Sequence, residues 1–291
     1  MIPDILTPYT DIAIKNRTQT TYDFTMSISL HAKDFKGVAY AEQEEVYFND
    51  GREKELLDYV LNHPSVSDIR GNPQKVLDLI DEFGRKQKYL MNIGEYKGKT
   101  VRNIIRKHRP ATMVELGGYV GYSAVAFASA AKEAGGKRYI SIEHNPEFAH
   151  VIEQMVELAG LKEFVTVVVG GSSDALKKLH GDGTLKHIDL LFLDHLKPLY
   201  TPDLQLCEEL ELVGPGTVLA ADNVVKPGNP PYLKYVRSTV AEKRNAMVRA
   251  TEMDAKGNPN LIYESEFVEG WEPSGVPDAL EVTHCVGIEA H

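Results

Sequence analysis

From Thr112 onward, short apolar runs alternate with segments in which apolar side chains recur every third or fourth position. TMVEL (112–116), RYISIE (138–143), FVTVVVG (164–170), HIDLLFLD (187–194) and GTVLAAD (216–222) are short and apolar almost throughout, which predicts buried strands. Segments 121–134, 146–159, 173–180 and 201–212 predict the intervening helices, and Asn145–Pro146 supplies a cap followed by a first-turn proline. Strand and helix alternating at this spacing build βαβ units, hence a parallel sheet covered on both faces.

Upstream, Leu56, Leu57, Val60 and Leu61 share one helical face, and Pro64 ends that helix. Asn72–Pro73 opens another, with Val76, Leu79, Ile80 and Phe83 as its stripe. QKYLMNIGEYKGK (87–99) is rich in Gly and Lys and predicts a loop, followed by a helix near 99–108. Residues 1–49 are Thr-rich and then alternating, with acids at Glu42, Glu44 and Glu45. They read as an N-terminal extension wrapping the domain or a partner, with a single domain from 50 to 291. After about 242 no helix is evident, and runs near 247–251, 261–268 and 281–287 predict strands that close one edge, including an antiparallel hairpin.

A chain of 291 residues, 43% of them hydrophobic, can form one large α/β domain. The formal charge of −10 repels polyanions on average, which argues against a nucleic-acid partner. Residues 1–23 hold a proline at position 3, an early acid and no apolar core of signal-peptide length, and no later apolar run reaches membrane-spanning length, so neither a signal peptide nor a membrane span is expected. Cys207 and Cys285 form no CxxC pattern and read as reduced thiols. The expectation is a cytoplasmic protein without a membrane partner, its oligomeric state left open.

VELGGYVGYSA (114–124) follows a strand and opens a helix, where glycines let backbone approach a ligand closely. Gly117, Gly118 and Gly121 do not match GxGxxG, and tight strand–helix packing is the competing explanation. Glu115, just ahead of the turn, disfavours a pyrophosphate and suits a ligand with cationic character. Glu143 ends the next strand, where α/β nucleotide binders hold ribose hydroxyls. Together they point to an adenosine ligand other than a dinucleotide.

Asp194 ends one buried strand, and Asp222 with Asn223 ends the following one. In a parallel sheet those ends share a rim, so three oxygen donors converge beside the glycine turn, a set that suits Mg²⁺. Capping of the next helices is the alternative. Lys197, three residues beyond Asp194, is a candidate general base or an exposed surface lysine. His195 is a structural histidine or a cofactor contact.

MNIGEYKGK, VELGGYVGYSA, EHNPEFA, LAGL, FLDHLK, GTVLAADNVVKPG and YLKYVR, in this order, resemble the catechol O-methyltransferases. The resemblance runs from about Asp50 to the C-terminus. It implies S-adenosylmethionine and Mg²⁺ as cofactors, and a doubly wound, Rossmann-like, seven-stranded, mostly parallel sheet with an antiparallel C-terminal hairpin. It places Asp194, Asp222 and Asn223 on the metal, Lys197 as base and Glu143 on the ribose. Met91, Ile93, Glu115, Gly117, Tyr119, Ser123, Ser172, Asp194 and His195 fall on cofactor positions. Tyr89, Leu196 and Pro227 wall the catechol pocket, with Lys197 and Asn223 also at the substrate. Glu266 is taken as the carboxylate that receives the second hydroxyl, with Glu264 as the alternative because WEPSG (271–275) reads as an insertion. Tyr89 and Leu196 stand where the family often carries Trp, implying a roomier or differently shaped pocket.

The resulting expectation is Mg-dependent methyl transfer from S-adenosylmethionine to one hydroxyl of a small-molecule catechol. Another vicinal-diol phenolic, such as a caffeoyl ester or a flavonoid, is the nearest alternative. A nicotinamide-dependent oxidoreductase and a non-catalytic interaction protein are the readings from other classes.

Overall fold

The computed structural model describes residues 28–248 and 256–290. Its centre is one seven-stranded sheet: β1 (Thr112–Leu116), β2 (Arg138–Glu143), β3 (Val165–Val169), β4 (Leu190–Leu193), β5 (Val218–Ala221), β6 (Leu261–Trp271) and β7 (Pro277–Ile288). The strand order is β3-β2-β1-β4-β5-β7-β6. β1 to β5 pair in parallel, and β7 runs antiparallel to both β5 and β6. The expected doubly wound sheet with its C-terminal hairpin is what forms. Strand order reverses between β1 and β4, and the crevice at such a switch point is where open α/β sheets bind ligands.

The helices are α1 (Arg52–Leu61), α2 (Val66–Ile69), α3 (Pro73–Lys86), α4 (Gly94–His108), α5 (Tyr122–Glu133), α6 (Pro146–Leu158), α7 (Ser172–Gly181), α8 (Tyr200–Glu209), α9 (Pro230–Arg237) and α10 (Val240–Met247). Period-two alternation divides the core. Met113, Tyr139, Leu190 and Phe192 face the layer built from α1 and α3 to α6. Val114, Leu116, Ile140, Leu191 and Leu193 face α7, α8 and α9. Every residue of β1, β4 and β5 is buried, which is why those runs lack polar alternation.

Four local expectations change. β3 is an edge strand rather than a buried one, with Val169 52% exposed. α4 begins at Gly94, inside the stretch expected to be a loop, because the Asn92 side chain accepts the Gly94 N–H at 2.9 Å and starts the helix. α9 was not anticipated; Asn229 caps it ahead of Pro230. α10 continues to Met247, held by a Thr239–Glu242 capping box, so that no strand begins at 247, and residues 249–251 of that expected strand lie outside the described residues. Among the described residues no helix is long and apolar enough to cross a membrane.

Candidate active site

The turn from β1 into α5 needs backbone that a side chain would obstruct. Gly117 has φ +90°, and a Cβ there would meet the Asp194 carbonyl oxygen at 2.5 Å. The turn therefore lies directly against the end of β4. Glu143 stitches it to β2, one carboxylate oxygen accepting the N–H groups of Gly118 (3.1 Å) and Tyr119 (3.0 Å) and the other that of Asn145 (2.8 Å). The Tyr119 hydroxyl donates to Glu53 of α1 at 2.8 Å.

Glu115 is fully buried and accepts hydrogen bonds from Tyr139 (2.7 Å) and Ser141 (2.5 Å), with Ser123 also nearby. Burial outweighs these donors and pushes its pKa up to about 7. Tyr139 and Ser141 were missed from sequence, because they read as ordinary strand residues; the β1–β2 register sets Ser141 opposite Glu115 and Tyr139 two residues earlier, opposite Met113. Ser172 and His195 come together through a residue also missed, Asp203, which is fully buried in α8. Asp203 accepts from Ser172, from Ser173 at 2.6 Å and from His195 Nε2 at 2.9 Å. Burial lowers the His195 pKa, its ring stacks on Tyr200 at 4.9 Å, and its Nδ1 is buried without a partner. A neutral imidazole with one free ring nitrogen suits a polar heterocyclic ligand.

Asp194, Lys197, Asp222 and Asn223 meet at the ends of β4 and β5, as expected. Lys197 Nζ lies 3.1 Å from Asp194 Oδ1, 2.8 Å from Asn223 Oδ1 and 2.7 Å from the Tyr200 hydroxyl. Asn223 adopts left-handed backbone (φ +58°), a conformation that Asn tolerates better than most residues. Behind this group stands a second lysine that sequence reasoning missed. Lys97 Nζ is 2.5 Å from Asp222, 2.6 Å from Glu272 and 2.7 Å from Asp278. Burial alone would drive its pKa down, but the three carboxylates overturn that and keep it an ammonium.

Glu266 and Glu264 do not take the place expected for them. Both are exposed on β6, whose alternation turns them away from the core. The carboxylate that reaches the site is Glu272, just beyond the strand, which accepts from Asn223 Nδ2 at 2.7 Å. A tip residue returns over the sheet rim, whereas mid-strand residues are committed to one face or the other.

Tyr89 is buried, and its hydroxyl is pushed upward in pKa by burial and by the nearby charge of Glu272. Leu196 (60% exposed) and Pro227 lie on the loops after β4 and β5, open to solvent. Ile93 is buried and Met91 half-buried in the segment between α3 and α4.

The oxygen donors at this rim fit a hard divalent ion. Asp194 Oδ1 and Asn223 Oδ1 already converge on one positive charge, the Lys197 ammonium, and Asp222 borders the same space while paired with Lys97. All three donors are hard oxygens, which fits Mg²⁺ better than a soft metal. Among the described residues no cluster of three or more His, Cys, Asp or Glu forms a metal site, so the set has two carboxylates and depends on the Asn223 amide.

Residues 114–224 match a methyltransferase-domain family. The chain is 42% identical over 186 residues to the catechol O-methyltransferase of Bos taurus, covering 64% of this chain and 66% of that protein. It is 39% identical over 188 residues to that of Mus musculus, covering 65% and 69% respectively. The aligned stretch thus spans about two thirds of these relatives' length. An O-methyltransferase from Bacillus cereus, solved in complex with SAH, superposes with a TM-score of 0.54 at 18% identity over 81% of this chain and 97% of that one, showing the shared fold. The glycine turn, the oxygen-rich rim and these relatives agree: the chain belongs to the catechol O-methyltransferase family of S-adenosylmethionine-dependent methyltransferases.

Proposed function

We propose that the protein moves the methyl group of S-adenosylmethionine onto one hydroxyl of a catechol, with Mg²⁺ bound. The observation that carries this reading is the meeting of Asp194, Asp222, Asn223 and Lys197 beside the Gly117 turn, with Glu272 hydrogen-bonded to Asn223. Asp194, Asp222 and Asn223 would hold the divalent ion, which when bound lowers the pKa of a coordinated hydroxyl and orients it.

The chain's own groups do the rest. Lys197 in its amine form takes the proton from the hydroxyl that is to be methylated, and Glu272 receives the hydrogen bond of its neighbour. Glu115, Glu143, Ser172 and His195 line the cofactor side, where ionised Glu115 answers positive charge. Tyr89 walls the acceptor side. The transfer joins a phenolate and a sulfonium into neutral products, so positioning in a dry site favours it over reaction in water. The two buried free cysteines favour a reducing, cytoplasmic setting.

The test is incubation with S-adenosylmethionine, 3,4-dihydroxybenzoate and Mg²⁺, with and without chelator. Monomethylated product that disappears with chelator is expected; product that persists would overturn the metal assignment. A second reading, methylation of a bulkier vicinal-diol phenolic, is favoured by the exposure of Leu196 at the pocket mouth. A caffeoyl ester or flavonoid preferred over dihydroxybenzoate would select it.

A further inference from the structure

Residues 28–50 supply none of the groups that the chemistry needs, yet they touch both elements that frame the acceptor side. Phe35 sits between Tyr96 of α4 and Trp271 at the end of β6, with ring centroids 5.0 and 5.4 Å away. Its ring covers Gly275 so closely that a Cβ there would meet it at 2.8 Å. The Tyr40 N–H donates to the Pro273 carbonyl at 2.9 Å, on the residue next to Glu272. On its far side Pro273 rests against Gly94, where a Cβ would meet its ring at 2.6 Å. The 272–276 turn, closed by Glu272 N–H to Val276 O (2.9 Å) and Gly275 N–H to Glu272 O (2.8 Å), is thus gripped from two sides.

The same segment fixes Tyr89. Tyr40 and Tyr47 stand edge-on to its ring at 6.4 and 6.0 Å. Arg52, fully buried, donates to the Tyr89 carbonyl at 2.6 Å and to the Val46 carbonyl at 3.0 Å, tying segment and pocket wall to one guanidinium. Tyr40 is anchored in turn, its hydroxyl donating to Asp81 at 2.5 Å and its ring lying over Gly84.

β6 is the outermost strand, and hairpin tips at a sheet edge open at low free-energy cost unless something holds them. Lys97 and Asn223 hold the Glu272 carboxylate, but the backbone that carries it belongs to the tip, and a catalytic constellation must be held to about 0.5 Å. We propose that residues 28–50 form a strap whose Phe35 and Tyr40 are positioning residues for Glu272 and Tyr89, so that these two side chains govern acceptor binding while leaving cofactor binding alone. The proposal rests on the reading that Glu272 and Tyr89 face the acceptor. The cofactor groups Glu115, Glu143, Ser172 and His195 have no hydrogen bond to the strap among the described residues, and Tyr119 meets it only at the far end from Phe35 and Tyr40, through Glu53, whose Oε1 also accepts the Asn49 N–H at 2.9 Å.

Phe35→Ala tests it in the full chain, with Phe35→Tyr as the conservative partner. Phe35→Ala should raise the KM for 3,4-dihydroxybenzoate about tenfold and leave the Kd for S-adenosylmethionine within about twofold, and Phe35→Tyr should restore the KM. Gly275→Ala, which pushes on the same contact from the turn, should give the same split. Two readouts need no turnover. Trp271 is the chain's one tryptophan, and its emission should shift to the red in Phe35→Ala. Amide exchange should quicken at 272–276 and stay unchanged at 115–123. If KM and cofactor Kd rise in parallel, or if KM is unchanged while the tip loosens, the proposal is overturned. Failure of the wild-type protein to methylate any catechol would remove the substrate reading instead. The strap would then stand or fall on the fluorescence and exchange results.

Discussion

Lys97 and Asp222 form an ion pair at 2.5 Å in which neither side chain is more than 2% exposed. Asp222 belongs to the oxygen set at the sheet rim, and Lys97 enters from behind, carried by a helix that covers the sheet. The lysine also holds Glu272 and Asp278, so one ammonium fixes three carboxylates drawn from β5 and the β6–β7 hairpin. Removing one partner of a buried ion pair leaves uncompensated charge and costs about 3–5 kcal/mol. Lys97→Met should therefore lower unfolding free energy by about that amount, read by urea denaturation. Adding Asp278→Asn should recover part of the loss; a single variant as stable as wild type would show that the lysine is not what balances the site.

Glu272→Gln and Glu266→Gln separate the tip carboxylate from the strand carboxylate. The first should lower kcat/KM for the acceptor about tenfold or more, through loss of a charge-assisted hydrogen bond. The second alters an exposed side chain and should change it less than twofold. Steady-state kinetics on the two variants decides, and a reversed order would return the role to Glu266.

Lys197→Ala should reduce turnover about a hundredfold or more at neutral pH and leave cofactor affinity nearly unchanged, as removal of a general base does. Single-turnover methylation and equilibrium binding of S-adenosylmethionine measure the two effects separately. Wild-type turnover in this variant would refute the base assignment.

Glu115 makes stability depend on pH. Its folded pKa is about 7 against 4.5 for a free side chain, so between those values the folded state binds a proton that the unfolded state releases. Stability from this group is therefore greatest below pH 4.5, falls as pH rises and levels off above 7, by at most about 3 kcal/mol. In Glu115→Gln that slope vanishes. Denaturation of both proteins from pH 5 to 8, without cofactor, should show the wild-type advantage shrinking as pH rises. A constant difference would mean that Glu115 is already ionised at pH 5.

Gly117→Ala probes the turn itself. The φ of +90° is unfavourable for alanine, and its Cβ would press on the Asp194 carbonyl at 2.5 Å. On the proposed reading both cofactor affinity and Mg²⁺-dependent turnover should fall, because the turn and the oxygen-rich rim share that contact. Isothermal titration with S-adenosylmethionine and with Mg²⁺ reads each loss, and intact affinity for both would show that the turn has room to shift.

The sequence determined the seven strands that form, though not that β3 lies at an edge or that 247 is helical, together with most of the helices and the shared rim. Burial leaves a periodic record along the chain: β1, β4 and β5 read as apolar runs because both their faces are covered, and a parallel sheet puts Asp194, Asp222 and Asn223 at one end. The tertiary structure alone decided how buried charge is balanced. Lys97 stood in a Gly- and Lys-rich stretch with nothing local to mark it, and its partners at 222, 272 and 278 reach it only through folding. Asp203, Tyr139 and Ser141 escaped notice for the same reason, since their roles consist of contacts made across elements. Glu272 was mistaken for Glu266 because the turn of a long hairpin, and hence which acid returns over the rim, is set by strand pairing and by the segment packed against it. Periodicity is a local property of the chain, whereas compensation of a buried charge depends on groups that only the complete fold brings together.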